Sequence, residues 1–178
     1  TTNKAALAEQ TATNIKYFGN YTTGPTQLLT KDKPVTSAAD LDGMSIRATG
    51  AFVPALQAQG ASTVSVGQPK VYEAISAGSV DGSTTYYYVV KAYKQYEVAK
   101  YITSLDMGQV LAFGIGMNMN TYMSLDSEHQ KLVDELGRDF TVYVAEKMYQ
   151  SRTDVRAELE AGIDGHKITV VEPTKELR

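Results

Sequence analysis

Between Met44 and Gly82 the chain switches its hydrophobic period repeatedly, and that alternation narrows the choice of fold more than any other feature. "MSIRAT" (44–49) has the β-branched character of a strand, and "FVPALQAQ" (52–59) has helical spacing and is stopped by Gly60. "STVSV" (62–66) is again a strand, and a helix opened by Pro69 closes at Gly78. Strands that alternate with helices are joined by crossovers, so the pattern predicts an α/β fold with a parallel or mixed sheet. At 178 residues the chain buries roughly 70% of its unfolded surface, enough for a core without metal or disulfide support.

The flanking segments are read in the same way. Residues 4–17, "KAALAEQTATNIKY", are Ala-rich and predict a helix; "NYTTGPTQLL" predicts an extended segment broken at Gly24-Pro25. "TSAADLDG" predicts one helical turn with a hydroxyl cap. "AKYITSLDM" and "QVLAFGIGMNM" read as strands, the second uncharged and therefore expected to be central and buried. Ser127 and Gln130 fit a capping box, and Leu132, Leu136, Phe140, Val144 and Met148 recur every four residues towards Gly162. A helix of about 35 residues spans roughly 50 Å, longer than a small lobe, so it is expected to bridge two. "KITVVEP" closes the chain as a strand. The segments are 1–43, a lead-in helix and inter-lobe stretch; 44–118, a ligand-binding lobe; and 119–178, the long helix and closing strand.

Composition excludes several functions. A net charge of −3, from 17 basic and 20 acidic residues, argues against a nucleic-acid partner. Cysteine is absent, which removes thiolate chemistry and Cys-based metal sites. The two histidines, His129 and His166, are far apart and read as surface residues, and no dinucleotide or phosphate-loop motif occurs. Asp81-Gly82 is explained as a turn, and the carboxylates of the long helix as a solvated face with interspersed bases. The reading is of a non-enzyme with no cofactor and no metal.

Taken in order, "KPVTSAADLDGMSIRATG", "YEAISAGSVDG", "EVAKYIT" and "TYMSLDSEHQKLVDEL" resemble the substrate-binding proteins of tripartite ATP-independent periplasmic (TRAP) transporters. The shared pattern is a Pro-containing loop, an Asp-Leu-x-Gly turn, an Ile-Arg strand and a Tyr-x-Ala-hydrophobic-x-x-Gly-x-Val-Asp-Gly segment. Residues 3 to 173 lie along the family's second half, so the chain resembles the C-terminal part of such a protein. The resemblance implies a periplasmic-binding-protein-like (type II) fold with a ligand cleft between two α/β lobes, a periplasmic location, a small organic anion such as a carboxylate as ligand, and a TRAP permease as partner. A two-lobed ligand-sensing module without a transport role is the alternative.

The resemblance also assigns residues. Arg47 matches the arginine that pairs with the ligand carboxylate, and a guanidinium supplies the planar, permanently charged fork that this task needs. A second family arginine falls at Gln27 here, which argues against a dicarboxylate held by two arginines; Thr26 or Gln27 is expected to face the ligand. Gln68 stands where relatives can place an aromatic residue. Ser83, Thr84 and Thr85 follow the Asp-Gly break and are expected to cap the next helix and then to reach the ligand. In that helix Tyr86 shares a face with Val89, Val90 and Tyr93 and is expected in the core, whereas Tyr87 and Tyr88 point elsewhere and are candidates to line the cleft. Thr49, just past Arg47, completes the set.

Overall fold

The computed structural model describes residue 8, residues 12–109 and residues 111–177. The strands are β1 (Ile15–Thr22), β2 (Gln27–Thr30), β3 (Ser45–Arg47), β4 (Ser62–Val64), β5 (Gly82–Thr85), β6 (Tyr101–Thr103), β7 (Ala112–Asn118) and β8 (Thr169–Val171). The α-helices are α1 (Phe52–Gln57), α2 (Val71–Ser76), α3 (Tyr87–Ala92), α4 (Met119–Met123) and α5 (Ser127–Ala161). Contacts divide the chain into two compact units, Thr1–Thr22 with Leu111–Met148, and Thr23–Val110 with Tyr149–Arg178. Each unit is built from two stretches of chain, where the sequence suggested contiguous segments, and the division falls inside α5.

The larger unit carries a six-stranded sheet in the order β4-β3-β5-β2-β6-β8. Strand β3 runs parallel to β4 and β5, and β6 parallel to β8; β2 alone is reversed, antiparallel to both β5 and β6. Every residue of β2 is buried, and because successive side chains point to opposite faces, Leu28 and Leu29 enter different cores. Leu28 packs with Ile46, Phe52 and Leu56 of β3 and α1. Leu29 packs with Val71, Ile75, Val90 and Ile102, and with Val155 and Leu159 of α5. The helices therefore cover both faces, α1 on one and α2 and α3 on the other.

The smaller unit pairs β1 with β7 antiparallel, from Ile15 opposite Asn118 to Thr22 opposite Ala112. This corrects two expectations. Ile15, Lys16 and Tyr17 are strand rather than helix, because Asn14 turns the chain at φ +54 and the β-formers that follow pair with β7; residues 4–7 and 9–11 of the expected helix lie outside the described residues. Strand β7 is not central but one half of a two-stranded sheet, with mostly exposed side chains. The long helix forms as expected, but its cap is Asp126, whose Oδ1 accepts from the His129 N–H at 2.9 Å; the Gln130 side chain donates instead to the Leu125 and Tyr122 carbonyls. Leu132, Leu136 and Phe140 of its apolar row remain about half exposed, and Leu136 and Phe140 border a groove of about 520 Å³ with Phe18, Ile115 and Met117. Among the described residues no helix is long and apolar enough to cross a membrane.

Candidate functional site

Strands β3 and β5 lie side by side, yet the chain leaves them in opposite directions: from β3 through α1 to β4, and from β5 through α3 towards β6. The two helices lie on opposite faces of the sheet. Such a divergence opens a crevice at the carboxyl ends of the strands, where open α/β sheets bind ligands. Arg47 ends β3 and Thr85 ends β5, and Arg47 stands opposite Ser83 in the parallel register. Since β2 is reversed, its first residue, Gln27, reaches the same edge opposite Thr85.

Arg47 is 9% exposed and is the one charged side chain in the core among the described residues. Its Nε donates to the Val66 carbonyl at 3.0 Å and its Nη1 to the Thr84 carbonyl at 3.5 Å, and no carboxylate of the described residues lies within 4.0 Å. Burial draws its pKa below the ordinary guanidinium value, while the Tyr86 phenol works the other way. The group stays charged, because a guanidinium does not deprotonate in the accessible pH range. The two carbonyls orient the fork and leave both Nη2 hydrogens unassigned.

The hydroxyl run is a strand, not a cap. Ser83, Thr84 and Thr85 are fully enclosed in β5, between β2 and β3, and α3 begins only at Tyr87 with no side-chain cap. Three small β-compatible residues suit a central strand, and their hydroxyls are satisfied locally. Ser83 Oγ donates to the Thr84 carbonyl at 2.9 Å, Thr84 Oγ1 to the Arg47 carbonyl at 3.4 Å, and Thr85 Oγ1 to Gln95 Oε1 at 3.5 Å. The later helix start also shifts the tyrosines. Tyr86 is extended (φ −131, ψ 150) and half-buried rather than core, and its ring stacks on Tyr88 at 5.6 Å. Tyr87 takes the core place, with its phenol 2.8 Å from Ser104 Oγ, and burial pushes its pKa up.

Gln27 is at the edge but its amide is occupied. Nε2 donates to the Pro25 carbonyl at 3.0 Å and to Asp106 Oδ1 at 2.8 Å, while Oε1 accepts from the Asp106 N–H at 3.2 Å. Thr26 is buried beside it, its N–H and hydroxyl both directed to the Gly108 carbonyl. Thr49 is half-buried past the end of β3. Gln68, two residues beyond the carbonyl that holds Arg47 Nε, is different: its Nε2 is buried with no hydrogen-bond partner.

The sequence reading missed a second set at the same edge. Asp106 is paired with Arg152 at 2.9 Å, and Arg156 reaches Ser104, Glu160 and Glu172. Fully buried Gln95 also has an unpartnered Nε2. Position supplied the available signal, since "SLDM" follows strand β6 directly and so falls at its carboxyl end. Two polar cavities, of about 360 and 260 Å³, lie at the opposite, amino edge around Lys31 and Asp32, away from all the predicted site residues.

A doubly wound sheet with one reversed strand, and polar side chains gathered at its switch point, defines an α/β, type II periplasmic-binding-protein-like fold. The chain belongs to the bacterial extracellular solute-binding protein family 7 (DctP), whose model matches residues 1–178. It is similar to a TRAP periplasmic solute-binding protein from Sulfitobacter sp. NAS-14.1 with bound α-D-taluronate, at 28% identity and TM-score 0.80 over 97% of this chain. It is also similar to one from Bradyrhizobium sp. BTAi1 in complex with α/β-D-galacturonate, at 24% identity and TM-score 0.78 over 97% of this chain. A third is the periplasmic ectoine-binding protein of a TRAP transporter from Halomonas elongata, at 21% identity and TM-score 0.81 over 98% of this chain. The chain spans 56% of the length of each of these three.

Proposed function

We propose that this chain serves in the periplasm as a solute-binding polypeptide that captures a small organic acid at the β3–β5 edge and delivers it to a TRAP-type membrane permease. Capture involves no covalent chemistry. The observation that carries the reading is Arg47, a buried guanidinium with two carbonyl acceptors and, among the described residues, no acid partner. A buried cation without an anion is costly, and a ligand carboxylate is the group that relieves the cost with two parallel charge-assisted bonds. Segment 44–118 supplies most of the contacts, with Arg47 as anchor and Thr49, Gln68, Ser83, Thr84, Thr85 and Tyr88 around it. Thr26, Gln27 and Tyr87 shape the wall from behind. The uronate-bound relatives support the ligand class.

The test is calorimetric titration of the chain with a panel of carboxylates, repeated on Arg47→Ala. Loss of a charge-assisted pair is worth roughly 1.5 to 3 kcal/mol, so affinity should fall at least about tenfold. Equal affinity in a folded Arg47→Ala variant would remove Arg47 from the site and the reading with it.

A further inference from the structure

The β3–β5 edge carries a charge count and a hydrogen-bond count that together narrow the ligand. One guanidinium, that of Arg47, has no acid partner among the described residues. The other two arginines of this unit's edge are already neutralised, Arg152 by Asp106 and Arg156 by Glu160 and Glu172. The position that matches the family's second arginine holds Gln27, whose two donors are spent on Pro25 and Asp106. A second carboxylate would therefore enter a buried edge with no buried cation to meet it, which is strongly unfavourable.

The hydrogen-bond count points to the other end of the ligand. Gln68 Nε2 is shielded from water and makes no hydrogen bond; of the two such amide donors, Gln68 and Gln95, it is the one that adjoins the segment holding Arg47 Nε, whereas the neighbouring hydroxyls and the Gln27 amide find partners. Gln68 opens a short turn behind Gly67, directly after the segment whose Val66 carbonyl fixes Arg47 Nε. Buried donors without acceptors are rare, and those at an edge where a ligand is expected are explained by that ligand.

We propose, resting on the capture reading above, that this edge selects a monocarboxylate bearing a hydroxyl or oxo oxygen, with Arg47 holding the carboxylate and Gln68 Nε2 donating to that oxygen. Dicarboxylates are rejected by charge. Acids without an acceptor oxygen are rejected because they leave the Gln68 donor unpaired, the condition under which binding sites discriminate most sharply.

Two size-matched series test this by titration calorimetry: lactate, propionate and malonate; and D-galacturonate, cyclohexanecarboxylate and galactarate. Within whichever series binds, the hydroxylated monocarboxylate should bind the wild-type chain at least about tenfold more tightly than either companion. Gln68→Leu should bring the hydroxylated and plain monocarboxylates to within about twofold of each other, and Arg47→Ala should weaken both. The wild-type series stands by itself if either variant misfolds. If a dicarboxylate or a plain acid binds as tightly as the hydroxy acid, with Arg47 still required, the selectivity is overturned and capture through Arg47 survives. If no acid binds, or binding ignores Arg47, capture itself is overturned and the selectivity falls with it.

Discussion

Replacing Asp106 by alanine and by asparagine should separate two roles that one side chain combines. Asp106 sits at φ +50, in the left-handed region that alanine enters only at a cost of about 1–2 kcal/mol and that asparagine tolerates. Its Oδ1 is an acceptor for the wholly buried Gln27 amide, and losing that acceptor strands a donor at about 1–3 kcal/mol. Its Oδ2 faces Arg152 in an ion pair whose side chains are 44% and 34% exposed, worth only about 0.2–1 kcal/mol. Asp106→Ala loses all three, for a destabilisation of about 2–6 kcal/mol. Asp106→Asn keeps the backbone conformation and the acceptor, so it should cost under about 1 kcal/mol.

The assay is urea unfolding together with hydrogen exchange at the Leu28, Leu29 and Thr30 amides, so that the measured opening belongs to the six-stranded sheet. At this chain length 1 kcal/mol moves Tm by roughly 2–4 °C, which separates the two variants cleanly. Ligand affinity in Asp106→Asn should stay within about twofold of wild type, since Gln27 is occupied internally rather than by the ligand. Equal losses of stability in the two variants would show that charge, not acceptor geometry and backbone conformation, sustains this corner, and the reasoning would fail.

Two further predictions concern the frame around the site. Gly82→Ala places a Cβ 2.3 Å from the Leu29 carbonyl oxygen, a backbone atom in the neighbouring strand, so β5 must shift and the urea midpoint should report a loss of about 1–3 kcal/mol or more; a loss under about 0.5 kcal/mol would contradict the close approach. Asp40 Oδ2 accepts from the Thr36 and Ser37 N–H groups, each at 2.9 Å, and from both hydroxyls, which together hold its carboxyl far below the ordinary range. A depressed folded pKa stabilises above the unfolded value, about 3.9, and that stabilisation drains away as pH falls below it. The stability gap between wild type and Asp40→Asn should therefore hold steady from pH 6 to about 5 and shrink towards pH 2; a gap independent of pH would refute the assignment.

Where an element declares itself by its own period or cap, it was legible in the sequence. The alternation from β3 to α2 and the extent of α5 follow from side chains that act within a few residues of one another. The failures are of another kind. Ile15–Tyr17 become strand only because β7 begins about a hundred residues later, and Ser83–Thr85 suit a cap and a buried strand equally until β2 and β3 close on either side. An uncharged, Gly-containing run such as β7 reads alike as a central strand or as one of a pair. At the proposed site, strand direction and order bring the residues expected from the sequence to one edge of the sheet. The occupation of Gln27 was not legible, since its partner Asp106 lies 79 positions away.

The hydroxyl strand and the lone arginine are one solution to one physical problem. A guanidinium at the end of β3 must lie beside β5, and a bulky side chain at 83, which shares its face of the sheet, would occupy the space that its fork requires. Ser83 and Thr84 are small, and their hydroxyls turn to main-chain carbonyls instead of competing for Arg47; the Thr84 carbonyl receives Ser83 Oγ and Arg47 Nη1 together. These hydroxyls beside the charge are thus hydrogen-bonded without neutralising it. An acid built into the fold at this point would lower the cost of burying Arg47 and, by the same amount, weaken its attraction for an anion arriving from solvent. The unmet charge is therefore the source of the proposed affinity, and a bound carboxylate should stabilise the six-stranded unit in proportion to how tightly it is held.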